Sequence, residues 1–213
     1  MFGKLFGKRT EPLATFDGAL TREELIQKGR IAFIDDEEPL LIEHIKSSQF
    51  VVEHDRTGDD LRNYDAQLYD VAIVDYYGVG QRLGAGQGLD LIKHIRRVSP
   101  RTRIIAYTSR SLNASESEFF RLSHAVLPKD MGLGDSMLLI EEELRKALSK
   151  EHLFEALIIK LSVSRSEDRD KMRDALSKAL SGKDKTKFKE YLSKAVGIAA
   201  EKTVEAIIGK MFV

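Results

Sequence analysis

From about residue 30 to residue 149, short apolar runs alternate with segments whose apolar positions recur every three or four residues. Short apolar runs are typical of buried parallel strands, and the longer spacing is typical of helices packed on them. The strands are predicted at 30–34, 50–54, 71–75, 102–107 and 125–128. The helices are predicted at 39–48, near 58–67, and at 88–98, 115–123 and 135–149. This alternation predicts an α/β fold, a doubly wound five-stranded parallel sheet with helices on both faces.

Beyond Lys150 the strand pattern stops and only helical spacing continues, which predicts a C-terminal α-helical extension. A stripe of apolar positions crosses this boundary: Ile140, Leu144, Ala147, Phe154, Ile158 and Leu161. The stripe predicts that the fifth helix runs on as one long helix with a coiled-coil-like seam. Two more helices are predicted, at 167–181 and 185–211. The second of these would carry Phe188, Leu192, Ala195, Ala199 and Ile207, with small residues at 195, 197, 199 and 200.

The chain is accordingly divided into a lead-in over 1–29, a sheet domain over 30–149 and a helical output or dimerisation region over 150–213. The first nine residues, MFGKLFGKR, could place three apolar side chains on one helical face beside basic residues, as a weak membrane-surface anchor would. So short a segment barely sustains a helix. We therefore favour a short tail, and a membrane partner is disfavoured.

Composition narrows the class of protein. Hydrophobic residues make up 42% and charged residues 32% of the 213 residues, as in folded soluble proteins. The formal net charge is zero, which gives no general electrostatic reason to bind nucleic acid. Cysteine is absent, which is compatible with a reducing cytoplasm, so we expect a cytoplasmic location. No stretch reaches the roughly 18 consecutive apolar residues of a membrane span.

Polar residues follow four of the predicted strands directly. They are Asp35 and Asp36 after the first strand, Asp75 at the end of the third, and Thr108 and Lys129 after the fourth and fifth. Each could be an ordinary turn or helix-start residue, but in a doubly wound sheet these strand ends open onto one crevice. Three carboxylates there would repel one another unless a hard cation lay between them. The hydroxyl and the ammonium suit an anion beside it, so we predict a site for Mg²⁺ and a phosphoryl group.

These residues resemble those of the receiver domains of bacterial two-component response regulators, which have a flavodoxin-like fold. The resemblance covers about residues 30–149, and the helix start GLDLIKHIRRVSP is similar to the corresponding segment of the family. It implies that Asp75 accepts a phosphoryl group from a histidine kinase or a phosphotransfer protein. It also implies that Asp36 binds Mg²⁺ directly and Asp35 mainly through water, with the Tyr77 backbone carbonyl as a further ligand.

The resemblance assigns roles to the two remaining residues as well. Lys129, together with Mg²⁺, would offset the charge of the phosphoryl oxygens. Thr108 would hydrogen-bond the bound phosphoryl group and move towards it, which starts the signal. The expected protein is thus a phosphoacceptor in signalling rather than an enzyme, with no catalysis beyond its own Mg²⁺-dependent phosphorylation and dephosphorylation.

The sequence departs from the family at three places. The loop after Asp75, YYGVGQRLGAGQ, is longer than usual, and its glycines suggest a mobile lid or docking loop; they include Gly78, Gly80, Gly84 and Gly86. Val126 stands where an aromatic switch residue is usual, with Tyr107 as a substitute. Asp130 follows the lysine where the family usually has proline. These departures leave the output mechanism open.

Three roles are open for the C-terminal helices. We favour a helical bundle for self-association or for a protein partner. Folding back to complete the receiver is a second possibility. DNA binding is disfavoured, because the lysine-rich segment 183–194 contains no arginine. For the whole chain, the main hypothesis is a phosphorylation-switched response regulator, and the alternative is a degenerate receiver that serves as a phosphorylation-independent scaffold.

Overall fold

A computed structural model describes residues 12–18, 20–66, 68–109, 117–196 and 202–212. The chain forms two compact units. The first, called here the sheet unit, spans Leu20–Leu148. The second, called here the helical unit, combines Met1–Ala19 with Ser149–Val213. The structure therefore divides the predicted lead-in of residues 1–29 between the two units.

The sheet unit contains five parallel strands in the order β2-β1-β3-β4-β5. Their bounds are β1 Arg30–Ile34, β2 Val51–Asp55, β3 Val71–Asp75, β4 Arg103–Thr108 and β5 Ala125–Pro128. All five predicted strands are present, each within one residue of its predicted ends. The predicted doubly wound parallel sheet is confirmed.

Six helices accompany these strands in the described part of the sheet unit. Their bounds are α1 Arg22–Lys28, α2 Leu40–Ser47, α3 Arg62–Asp65, α4 Gly88–Val98, α5 Ser117–Leu122 and α6 Leu133–Ala147. Alternate residues of a strand point to opposite faces of the sheet. Ile31 and Phe33 therefore enter one core cluster with α1, α2 and α6, whereas Ala32 and Ile34 enter another with α3, α4 and α5. Each face of the sheet is thus covered by helices.

The predicted long helix across residue 150 is wrong. Helix α6 ends at Ala147, and a separate helix α7 spans Lys150–Lys160. Between them Ser149 has an extended backbone, with ψ 143°, and its side chain accepts a hydrogen bond from the His152 backbone N–H. A serine cap of this kind starts a new helix, because it satisfies a backbone donor that the new helix leaves free. The apolar stripe is therefore cut in two.

The helical unit buries the second half of that stripe within itself. It contains a 3₁₀ helix, Leu13–Phe16, followed after the sheet unit by α7, α8 Ser166–Ser181, α9 Lys185–Val196 and α10 Lys202–Met211. Phe154 and Ile158 are buried in one cluster with residues of α8, α9 and α10, and Leu161 packs against it. Leu13 is fully buried in the same cluster. These side chains need no second copy or partner to cover them, so the stripe no longer supports self-association.

The prediction of one helix over 185–211 is also wrong. The rings of Phe188 and Phe212 lie 6.4 Å apart, and Lys189 Nζ lies 2.7 Å from Glu205 Oε1. In a continuous helix, Phe188 and Phe212 would be separated by roughly 36 Å, and Lys189 and Glu205 by roughly 24 Å. Helices α9 and α10 therefore fold back on each other. The small residues predicted at 197, 199 and 200, like the N-terminal motif, lie outside the described residues, and Ala195 is exposed.

Within the described residues, none of the helices combines the length and the apolar character that crossing a bilayer requires.

Candidate functional site

The predicted site residues all lie at the carboxyl-terminal edge of the sheet. Strands β1 and β3 are neighbours, and the chain leaves β1 towards β2 on one side and β3 towards β4 on the other. Such a reversal opens a crevice in which doubly wound sheets bind ligands. Asp75 pairs in register with Tyr107, and Thr108 pairs with Pro128, directly before Lys129. The topology thus brings together the residues that the sequence pattern singled out.

Three carboxylates form the acidic part of the site. Asp35, Asp36 and Asp75 each offer one carboxylate oxygen, and these oxygens lie within 4.8 Å of one another. Asp35 is fully buried and Asp75 is 8% exposed, whereas Asp36 faces solvent. The buried pair is held in place by backbone donors, since Glu37 N donates to Asp35 Oδ1 at 2.9 Å and Tyr76 N donates to Asp75 Oδ1 at 2.7 Å.

Lys129 joins the two buried carboxylates. Its Nζ donates to Asp35 Oδ2 and to Asp75 Oδ2, both at 2.8 Å. Burial works to lower the pKa of the Lys129 ammonium, but its hydrogen bonds with Asp35 and Asp75 outweigh that effect and raise the pKa. The ammonium also lies 5.0 Å from the centre of the Tyr107 ring. Lys129 is therefore a fixed positive charge at the floor of the crevice.

Asp75 is in an environment that resists its ionisation. Burial raises the pKa of its carboxyl, and the nearby charge of Asp35 raises it further, against the opposing hydrogen bond and charge of Lys129. A divalent cation at the same edge would favour the ionised form of such a cluster. The donor set fits Mg²⁺, because it consists of carboxylate oxygens and one of the three carboxylates is open to solvent.

Thr108 is the last residue of β4 and is nearly buried. Its backbone carbonyl accepts a hydrogen bond from Lys129 N at 2.7 Å, which ties the ends of β4 and β5 together. Next to it, Tyr107 is buried with its ring edge-on to Phe33, at 5.1 Å between centroids. Val126, at the position of the usual aromatic switch, is half-buried against the core on the α4 and α5 face. The switching roles of these residues stay predictions.

The loop between β3 and α4 has a defined conformation. Gly88 N donates to Tyr76 O at 3.0 Å and closes the base of the loop, while Gly80 N donates to Thr57 O at 2.6 Å. Gly86 N donates to Asp90 Oδ2 at 2.9 Å. Val79, between the predicted lid glycines, is fully buried in the core. The loop is thus anchored at several points, and its action as a lid stays a prediction.

One of the loop glycines lies directly against the acidic cluster. Gly78 has φ +78°, and a Cβ atom added to it would come within 2.3 to 2.5 Å of the Asp36 carboxylate atoms. No other residue type fits there without displacing Asp36. Tyr77, whose carbonyl is a predicted metal ligand, immediately precedes this glycine and packs its ring on that of Tyr76, at 4.7 Å between centroids.

Two contacts of the site were missed from the sequence. His54 Nε2 lies 2.8 Å from the Asp35 backbone oxygen, and Arg56 Nη1 donates to the Asp36 backbone oxygen at 3.3 Å. Both residues belong to β2 or its following turn, which lie beside the end of β1 in a parallel register. Only the strand order brings them there. A prediction that β2 lies beside β1 would have been needed to place these two residues next to Asp35 and Asp36.

No protein-family model matches the sequence, and no curated protein matches it. Solved structures do. A CheY-like response regulator receiver domain protein from Methanospirillum hungatei is 18% identical, with a TM-score of 0.47, over 56% of this chain and 95% of its own. TrrA from Thermotoga maritima, solved with Mg²⁺-BeF, is 18% identical, with a TM-score of 0.46, over 54% of this chain and 98% of its own.

A third structure extends further along the chain. NtrX from Brucella abortus, solved in complex with ATP, is 15% identical, with a TM-score of 0.51, over 71% of this chain and 34% of its own. At these identities the likeness is one of fold. The sheet unit has the doubly wound, five-stranded parallel fold that the resemblance to receiver domains predicted, and the remainder of the chain is a helical extension.

Proposed function

We propose that this chain is a response regulator whose Asp75 accepts a phosphoryl group from a histidine kinase or a phosphotransfer protein, in a Mg²⁺-dependent reaction. One observation carries the proposal. A nearly buried aspartate lies with two further carboxylates at a strand edge, and a lysine ammonium is held 2.8 Å from its Oδ2. Burial of charged groups costs stability, so a cluster of carboxylates kept together at the ends of the strands marks a candidate functional site, and its groups suit an anion bound beside a cation.

The proposed chemistry is a simple displacement. A carboxylate oxygen of Asp75 attacks the phosphorus of a phosphohistidine, and the bond between phosphorus and the histidine nitrogen breaks. The electron pair of that bond stays on the departing imidazole, and Asp75 becomes an acyl phosphate. Lys129 would then pair with phosphoryl oxygens rather than with the Asp75 carboxylate. The Thr108 hydroxyl, at the end of β4, would donate a hydrogen bond to the same group.

The carboxylates of Asp35, Asp36 and Asp75, with the Tyr77 carbonyl, would hold Mg²⁺. The ion would neutralise part of the negative charge on the phosphoryl oxygens during transfer. Asp36 is the best placed direct ligand, because it is exposed and carries no hydrogen bond from Lys129, whereas Asp35 already accepts from both Lys129 and Glu37 N.

The output is proposed to pass through the helical unit, by contacts with another protein. This unit is joined covalently to the sheet unit on both sides, near residues 19–20 and 148–149. The test is hydrogen exchange of the amides in residues 150–196 with and without acetyl phosphate and Mg²⁺. A change there supports a switched output, whereas an exchange pattern that phosphorylation leaves untouched favours the phosphorylation-independent scaffold. A cytoplasmic location stays a prediction.

The phosphorylation itself is tested by intact-mass measurement after incubation with Mg²⁺ and acetyl phosphate. We expect the mass of one phosphoryl group to be added to the wild-type chain, and none after Asp75→Asn or in excess chelator. Asp130→Asn is the matched control, because Asp130 is an exposed acid next to Lys129 and outside the acidic cluster. A wild-type chain that stays unmodified while a known receiver is labelled in parallel would defeat the proposal.

A further inference from the structure

We infer that Gln87 is a positioning residue for the Mg²⁺ site and acts through the peptide bond between Tyr77 and Gly78. The inference rests on the proposed function, because the ligands concerned are those of that site. Gln87 lies at the far end of the loop that follows β3, immediately before α4. Its side-chain Oε1 accepts a hydrogen bond from Gly78 N at 2.9 Å, so one amide connects the two ends of the loop.

This hydrogen bond controls the direction of the Tyr77 carbonyl. A peptide unit is planar and trans, so its C=O and its N–H point in opposite directions. The N–H of Gly78 and the C=O of Tyr77 belong to the same unit. An acceptor that holds the N–H on one side therefore directs the carbonyl to the other. Gln87 orients a predicted ligand that it does not itself contact.

The same peptide unit also adjoins Asp36. The Gly78 Cα lies so close to the Asp36 carboxylate that an added Cβ would overlap its oxygens at 2.4 and 2.5 Å. Rotation of the peptide between Tyr77 and Gly78 would therefore displace Asp36 as well as the carbonyl. Through one hydrogen bond, Gln87 restrains two members of the proposed ligand set.

The backbone of Gln87 gives independent support. It has φ 51° and ψ −122°, a conformation that glycine adopts far more readily than glutamine. The conformation is held by neighbours, since Gln87 N donates to Gly84 O at 3.2 Å and Leu91 N donates to Gln87 O at 3.0 Å. Strained residues of this kind persist where they serve a function. What glutamine adds there, and glycine would lack, is the side-chain amide.

Two substitutions distinguish the effect of the Gln87 side-chain amide from the effect of its strained backbone conformation. Gln87→Ala removes the amide and keeps a side chain in the strained conformation, whereas Gln87→Gly removes both. Gln81→Ala is the matched control. Gln81 is an exposed glutamine of the same loop whose Nε2 donates to Gly78 O over the longer distance of 3.4 Å, so it does not hold the N–H.

Mg²⁺ affinity is measured by calorimetry on the full chain, together with the rate of phosphorylation by acetyl phosphate at saturating Mg²⁺. We expect both Gln87 variants to raise the Kd for Mg²⁺ by about tenfold or more, as loss of a partner that orients a ligand does. The rate at saturating Mg²⁺ should stay within about twofold of wild type, because Asp75 and Lys129 are untouched. The Gln81→Ala chain should bind Mg²⁺ as the wild type does. The Gln87→Gly chain should unfold at a denaturant concentration no lower than that of the wild type.

Wild-type Mg²⁺ affinity in both Gln87 variants would overturn the inference, even if their stability fell. An effect in Gln87→Gly alone would overturn it too, since the amide would then be irrelevant. These outcomes differ from failure of the proposed function, in which the wild-type chain itself binds no Mg²⁺ or takes up no phosphoryl group.

Discussion

The two units differ in what they bury. Among the described residues of the sheet unit, the interior contains ionisable side chains in several places, namely Asp35, Asp70, Asp75, Arg101 and Glu143. The core cluster of the helical unit is apolar, and its described buried polar residues are Lys150 and Ser177. Burying charge costs stability unless partners compensate for it. Among the described residues, most of the buried charge therefore lies in the sheet unit, while the core of the helical unit depends on apolar packing.

The units also differ in connectivity. The sheet unit is one continuous segment, in which all pairs of consecutive strands except β2 and β3 are neighbours in the sheet. The helical unit is discontinuous, because Leu13 packs with side chains of α7 to α10 that follow it by more than a hundred residues. A second link is the hydrogen bond that Lys150 N donates to Asp17 Oδ1 at 2.7 Å. Local sequence pattern is therefore a better guide to the first unit than to the second.

The largest effect is expected from the buried ion pair of the sheet unit. Arg101 and Asp70 are both almost completely buried and form an ion pair, and Arg30 N also donates to Asp70 at 2.9 Å. Arg101→Met would remove the cationic partner of the buried Asp70 carboxylate, so we expect the unit to lose about 3–5 kcal/mol of unfolding free energy. Hydrogen exchange should report the loss within 20–148 and leave the helical unit unchanged.

The control for this prediction is Arg62→Met, because Arg62 pairs with Asp60 on the surface. An exposed pair of this kind contributes little to stability, because solvent screens its charges. If Arg101→Met lowered the unfolding free energy no more than this control does, the buried ion pair would contribute nothing special to the stability of the sheet unit.

The next effect tests the connectivity of the helical unit. Leu13 is fully buried in its core, so Leu13→Ala should lower the unfolding free energy of that unit by about 2–5 kcal/mol. Exchange should accelerate in α7 to α10, although these helices lie far away in sequence. Leu40→Ala is the matched control, since Leu40 is 81% exposed and should change little. Unaltered exchange in α7 after Leu13→Ala would show that the N-terminal segment is dispensable.

The smallest effect concerns Asp17. Burial raises the pKa of its carboxyl, against the lowering by the hydrogen bond from Lys150 N. A raised folded-state pKa gives stability that is fully present below the unfolded value of 3.8 and is lost as pH rises through the folded-state pKa. Asp17→Asn keeps the acceptor oxygen but cannot ionise. We expect the variant to be slightly more stable than wild type at pH 7, with the difference closing as the pH falls towards 3.8.

Denaturant unfolding of the helical unit at several pH values measures this difference. Asp17→Ala provides the comparison, because it loses the acceptor as well and should be about 1 kcal/mol less stable than Asp17→Asn at any pH. A stability difference between Asp17→Asn and wild type that does not vary between pH 4 and 7 would contradict the assignment of the raised pKa.

The sequence-based errors cluster at the helical unit for a physical reason. Periodicity identifies the apolar face of a helix but not what covers it. The stripe from Ile140 to Leu161 is periodic except at Glu151, yet Ser149 ends one helix and caps the next within it. The Ser149 side chain accepts a hydrogen bond from a backbone N–H and so favours the start of a new helix. This local hydrogen bond decides where the helix breaks, although the apolar pattern would allow one continuous helix.

The site was more predictable than the surroundings that hold it. Asp35, Asp36, Asp75, Thr108 and Lys129 were recognisable because each follows an apolar run, and parallel strands place such positions at one edge. The contacts of His54, Arg56 and Gln87 were not recognisable. They depend on strand order and on the path of a long loop, which no local pattern encodes.

The sequence alone determined the alternation of strands and helices, the edge at which the acidic residues meet, and the chemistry that three carboxylates and a lysine can perform. These depend on residue type and on short-range spacing, which the covalent chain sets directly. Tertiary structure alone decided that Leu13 completes the helical core, that the apolar stripe serves two cores, and that Gln87 holds the Gly78 N–H beside Asp36. Each of these depends on the free energy of packing between segments distant in sequence, which only the folded chain as a whole can minimise.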